Sequence, residues 1–86
     1  MDINDLIAIV KKKLNDEISI EKIEVEDKSF LHKKHTGYQE GKYHLKILIN
    51  SQELKKLNKI ESNKKIYKIL NEEIKNYIHS LQIFIR

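Results

Sequence analysis

YHLKILIN, residues 43–50, alternates Tyr43, Leu45, Ile47 and Ile49 with His44, Lys46, Leu48 and Asn50. A two-residue period puts each set on its own face of a β-strand. One face is apolar and the other mostly polar, the pattern of a sheet covered on one side. Upstream, ISIEKIEVED, residues 18–27, alternates as well, but its parity changes at Glu21–Lys22. That predicts a strand over Ile20–Asp27, with a bulge or the strand's start where the parity changes. Between the two runs lies DKSFLHKKHTGYQEGK, residues 27–42, with no hydrophobic period. It carries His32, His35 and the only glycines, Gly37 and Gly41. Strand, loop and strand in this order imply an antiparallel pair.

Helical periods flank the pair. Ile3, Leu6, Ile7, Val10 and Leu14 share one face of a helix over residues 3–14, with Asp2 as its N-cap and Asp5 in its first turn. Lys11, Lys12 and Lys13 suit the negative end of its dipole. After the second strand, Leu54, Leu57 and Ile60 mark a short helical turn or two within residues 52–60. Ser62 or Asn63 can then cap a longer helix that aligns Ile66, Ile69, Leu70, Ile74 and Tyr77. His79, Leu81, Ile83 and Ile85 alternate through a final strand. A helical crossover makes that strand parallel to its predecessor. The fold class is α+β, in the order α–β–β–α–α–β, with a three-stranded mixed sheet and helices packed on one face.

At 86 residues the chain has room for one domain, residues 1–86, and one modest core. Hydrophobic residues at 40% and charged residues at 35% favour folding over disorder. No cysteine is present, so the chain supplies no disulfide, thiolate ligand or thiolate nucleophile of its own. No apolar run reaches the roughly 18 residues of a membrane span. The amino-terminal stretch is acidic and lacks a hydrophobic signal core, so a cytoplasmic location is expected. The net charge of +4 is uneven: residues 1–27 carry −4 and residues 28–86 carry +8. Arg86 is the only arginine. Lysine offers diffuse charge and not bidentate base reading, so nucleic-acid contacts would be mainly to phosphate.

Four stretches together resemble the BolA family over nearly the whole chain. They are Asp27-x-Ser29-x-x-His32-x-x-His35-x-Gly37, the Tyr43-His44-Leu45-Lys46 strand, Ile66-Tyr67-x-x-Leu70-x-Glu72-Glu73-Ile74, and Ile78-His79-Ser80-Leu81. The resemblance implies a type II KH-like fold. It also implies heterodimers with a monothiol glutaredoxin that share a 2Fe–2S cluster completed by glutathione, with none bound to the chain alone. Some bacterial members are DNA-binding regulators of morphology and stress genes. In the family a histidine within an R-H-R-like segment before the long helix ligates the cluster. Here that segment is Ser62-Asn63-Lys64, so Asn63 stands at the histidine's position. The family's F-x-G-K-like stretch is replaced by Leu54-Lys55-Lys56-Leu57.

Candidate sites follow. His32 and His35 form H-x-x-H, and neutral imidazoles at this spacing can approach one metal. A closed zinc site needs four ligands, which the chain does not offer in any obvious set. A 2Fe–2S centre accepts histidine in place of cysteine, so one or both can serve a cluster shared with the partner. Asparagine at position 63 is a poor iron ligand, its amide oxygen being hard and neutral. Lys55, Lys56, Lys59, Lys64, Lys65 and Lys68 surround the start of the long helix and form the candidate nucleic-acid surface. The G-x-x-G clamp of KH domains is absent, and the aromatics form no stacking strip. His79 reads as a buried structural ring and His44 as a surface residue. No catalytic constellation is present, so no enzyme is expected. The leading expectation is an accessory protein for iron–sulfur handling or iron and redox regulation. Its rival is a DNA-binding transcriptional regulator.

Overall fold

The computed structural model describes residues 1–29 and 42–86. His32, His35, Gly37, Gly41, Phe30 and Tyr38 lie outside the described residues. The elements are α1 (Ile3–Glu17), β1 (Lys22–Asp27), β2 (Tyr43–Asn50), α2 (Gln52–Lys55), α3 (Lys59–Ile69), α4 (Asn71–Asn76) and β3 (Ile78–Ile85). The sheet order is β1-β2-β3. β1 pairs antiparallel with β2, in register Ile23 to Ile49 and Val25 to Ile47. β3 pairs parallel with β2, in register Leu45 to Leu81 and Ile47 to Ile83. This is the mixed sheet that the sequence pattern predicts. β1 starts at Lys22, where the parity changes.

The core is built on the apolar face of β2. Leu45, Ile47 and Ile49 are buried with Leu6, Val10 and Leu14 of α1, Leu54, Ile66, Leu70 and Ile78. Each such side chain contributes about 1.5–3 kcal/mol by leaving water. α1 begins where Asp2 accepts a hydrogen bond from Asn4 N–H at 3.1 Å. Lys13 Nζ donates to the buried Glu73 carboxylate at 2.6 Å and so ties α1 to α4. That hydrogen bond holds the Lys13 ammonium above its ordinary range.

Two local readings change. The long helix does not begin at Ser62 or Asn63. Asn58 is its N-cap, with Oδ1 accepting from Glu61 N–H at 2.8 Å. Ser62 is buried inside α3 and its hydroxyl donates to the Lys59 carbonyl at 3.1 Å. Asn63 stands in the same helical turn. Sequence alone cannot choose among three cap-competent residues, and Ile60, 67% exposed, belongs to α3 and not to the short helix before it. The apolar stripe is also divided between α3 and α4 by Leu70, at φ −96° and ψ 17°.

The second change is in β3. Tyr43 pairs with Ile78 but His44 pairs with Ser80, so His79 is an extra residue in the strand. This bulge lets Ile78 and Leu81, an odd number of positions apart, both face the core. It also turns His79 out to solvent instead of into the interior. Asn58→Ala should lower stability by about 1 kcal/mol, read by urea denaturation. Asn63→Ala should change it by less than half as much, and equal losses would reassign the cap.

Candidate functional site

The root of the 30–41 segment is fixed by short hydrogen bonds. Lys28 N–H donates to the His44 carbonyl at 2.7 Å, and Ser29 N–H to the Asp27 carboxylate at 2.9 Å. His44 N–H donates to Ser29 Oγ at 3.1 Å. The last described residue before the segment, Ser29, is therefore bonded to the second residue of β2.

Two histidines that the sequence kept apart meet here. His44 lies on the open-face parity of β2, yet it is only 7% exposed. Its Nδ1 is 2.6 Å from Ser80 Oγ. Its ring centroid is 4.9 Å from that of His79, with the planes 59° apart. The predicted roles are thus exchanged: His44 is the buried, oriented ring and His79 the accessible one. The bulge at His79 is the cause. A signal for it existed, because Ile78 and Leu81 are both apolar but cannot share a face of a regular strand. Among the described residues no group of three or more His, Cys, Asp or Glu side chains is arranged to hold a metal. His44 and His79 can contribute to a site only in company with other groups.

Asn63 is elsewhere. It lines a groove with Ser62, Lys59, Ile83, Phe84 and Arg86, at the carboxyl end of β3. His79 is at the opposite end of that strand. The five-residue separation from His79 to Phe84 is about 16 Å of strand. One metal cluster cannot be ligated from both ends of such a distance, so Asn63 and the His44–His79 pair belong to different surfaces.

The lysines divide as well. Lys55 and Lys59 line the groove that contains Asn63. Lys65 and Lys68 line a second groove with Lys13, Asp16 and Glu17, where acidic groups offset the charge. Lys56 and Lys64 are exposed. Lys65 Nζ donates to Glu53 Oε2 at 2.8 Å, so it is already engaged. Glu53 Oε1 in turn accepts from Ser19 N–H at 3.1 Å. The Lys65 hydrogen bond, followed by that from Ser19, holds the Glu53 carboxyl below its ordinary value. A carboxylate with a depressed folded-state value stabilises the fold above the ordinary value, and that stabilisation is lost as pH falls through the folded-state value.

Comparisons with known proteins agree on one family. The family model for BolA-like protein matches residues 14–86. The chain is 31% identical over 75 residues to the DNA-binding transcriptional regulator BolA of Haemophilus influenzae, covering 87% of this chain and 70% of that protein. The BolA domain of SufE1 from Arabidopsis thaliana superposes with a TM-score of 0.81 at 25% identity, over 99% of this chain and 94% of that one. BolA1 from Arabidopsis thaliana shares the fold, with a TM-score of 0.77 at 23% identity, over 92% of this chain and 87% of that one.

Glu53→Gln should reduce stability above pH 4.5, the ordinary carboxylate value, and leave it equal to the parent at strongly acidic pH. Thermal melts across pH 2–8 read the difference. A gap that persists unchanged into acid would mean the charge of Glu53 contributes nothing.

Proposed function

The chain belongs to the BolA family, and from that premise we propose that it is a non-enzymatic accessory protein that partners a monothiol glutaredoxin in iron–sulfur handling or iron and redox regulation. What supports this reading is the exposed His79 beside the oriented His44, at the root of the segment that carries His32 and His35. The residues fit half of a shared site. Imidazoles are supplied and thiolates are not, so the cysteine ligands come from the partner and from glutathione. A reducing compartment such as the cytoplasm keeps those thiols available. Histidine ligation would raise the potential of a bound 2Fe–2S cluster relative to all-thiolate ligation. In this reading His79 and one of His32 and His35 face the cluster. His44 orients the site from below through Ser80. Asn63 has no part in it.

The test is spectroscopic. The chain is mixed with a cluster-loaded monothiol glutaredoxin and glutathione, and visible absorption and circular dichroism are recorded. A spectrum distinct from that of the glutaredoxin homodimer is expected, abolished by His79→Ala and unchanged by Asn63→Ala. An unchanged homodimer spectrum removes shared ligation. A new species formed only after Asn63→His would return the ligand to the family's helix position.

A second reading, transcriptional regulation by DNA binding, has one observation in its favour: the relative from Haemophilus influenzae bears that description. Lys56, Lys59 and Lys64 are exposed and can meet phosphates, Lys68 is exposed beside Asp16 and Glu17, and Lys65 is held by Glu53. Binding to duplex DNA would then fall steeply with salt. Lys64→Glu with Lys68→Glu should weaken it about ten-fold or more at low salt. Salt-independent or undetectable binding in a gel-shift titration would remove this reading.

A further inference from the structure

Among the described residues β3 is bonded to β2 on one side only. Arg86 N–H donates to the Ile49 carbonyl at 2.8 Å. Backbone groups alternate in direction along a parallel ladder, so Gln82 and Phe84 also bond inward. Leu81, Ile83 and Ile85 therefore turn their N–H and C=O groups outward. Tyr67 of α3 verifies the direction, because its hydroxyl donates to the Leu81 carbonyl at 3.2 Å. Exposed strand edges are commonly guarded. Here the guard reaches Leu81 and stops. Among the described residues nothing bonds to the outward groups of Ile83 and Ile85.

Beside that open stretch runs the groove of about 440 Å³ between β3 and the α2–α3 connection. Leu54, Leu57, Ile83 and Ile85 give it apolar walls, and Lys55, Lys59 and Arg86 give it a basic rim. Among the described residues no acidic side chain lines it. Among the described residues three features coincide: backbone donors and acceptors at strand spacing with nothing bonded to them, an apolar slot for a side chain, and positive charge with no acidic neighbour in the groove.

We propose that this groove takes an extended acidic peptide segment of a partner protein, added to the edge of β3 at Ile83–Ile85. Strand addition draws affinity from main-chain hydrogen bonds and selectivity from slots that receive alternate side chains. The incoming segment places an aliphatic side chain between Leu57 and Ile83 and its carboxylates against Lys55, Lys59 and Arg86. A second copy of this chain fits less well, since pairing two β3 edges would bring two basic rims together. Single-stranded nucleic acid would satisfy the lysines but lacks N–H donors at strand spacing. It would also need aromatic platforms, and the one aromatic ring here, Phe84, already carries Lys46 Nζ at 5.1 Å from its centroid. The groove shares no residue with the His44–His79 surface, so the proposal stands apart from the glutaredoxin reading.

The experiment uses the full chain and a synthetic eight-residue peptide that alternates glutamate with leucine and valine. Fluorescence anisotropy gives affinity, and amide shifts locate the contact. Saturable binding with the largest shifts over residues 81–86 is expected. Lys55→Glu with Lys59→Glu, both exposed positions, should weaken binding by about ten-fold or more, with an unchanged far-ultraviolet dichroism spectrum. N-methylation of alternate peptide nitrogens should do the same. Equal affinity of the N-methylated peptide would reduce the contact to charge attraction and overturn strand addition. Tighter binding of oligothymidylate to residues 81–86 would make the groove a nucleic-acid site. Concentration-dependent dimerisation through β3, seen by sedimentation, would assign the edge to a second copy. The cluster spectra described above are indifferent to all of these outcomes.

Discussion

The pairing of β2 on both of its edges is the constraint from which the remaining structure follows. A central strand must satisfy its backbone on two sides, so its register fixes which side chains of β1 and β3 stand over the core. Leu45, Ile47 and Ile49 are buried together because they share one parity. The opposite parity, Lys46, Leu48 and Asn50, is left partly or fully exposed. The helices then have one face to cover. Their attachment is polar as well as apolar. Ser51, wholly buried, caps α2 through Leu54 N–H and donates to the Ser19 carbonyl at 2.7 Å. Gln52 N–H donates to Glu21 at 2.9 Å. The start of α2 is thereby stitched to the turn that leads into β1.

That framework was largely legible in the sequence because it rests on periods. The two-residue alternation of 43–50 and the helical spacing of Leu6, Val10 and Leu14 each report a buried face directly. Caps are different. Asn58, Ser62 and Asn63 are chemically similar at this task, and only the position of the first helical turn selects Asn58. The register shift at His79 is also a tertiary fact. It exists because Tyr77 closes its carbonyl on Tyr43 N–H at 2.8 Å while Leu81 must still face the core beside Leu45. One extra residue reconciles the two demands. The apolar pair Ile78 and Leu81 hinted at this conflict, but an alternation counted from His79 conceals it.

The bulge has a structural consequence out of proportion to its size. Without it, position 79 would share the core parity of Leu81 and Ile83, and an imidazole would be buried there. With it, His79 leaves the core and comes to rest 4.9 Å from the ring of His44. A parallel pair starts both strands at the same end of the sheet. The beginning of β3 is therefore beside the beginning of β2, which is where the segment bearing His32 and His35 returns to the fold. Sequence distance gave no indication that His79 and the start of β2 share an end.

The same parallel arrangement separates the carboxyl end of β3 from that cluster of imidazoles. Asn63, Lys59 and the open edge at Ile83 and Ile85 belong to the far end. A change at position 63 therefore alters the lining of the groove at that end and not the imidazoles near Ser80. An asparagine is well suited to such a groove, since its amide is neutral and can both donate to a carbonyl and accept from an N–H. A histidine there would add a titrating charge to a rim already basic from Lys55, Lys59 and Arg86. Asn63 is thus no neighbour of the His44–His79 pair, which is assembled by β2, β3 and the bulge between them.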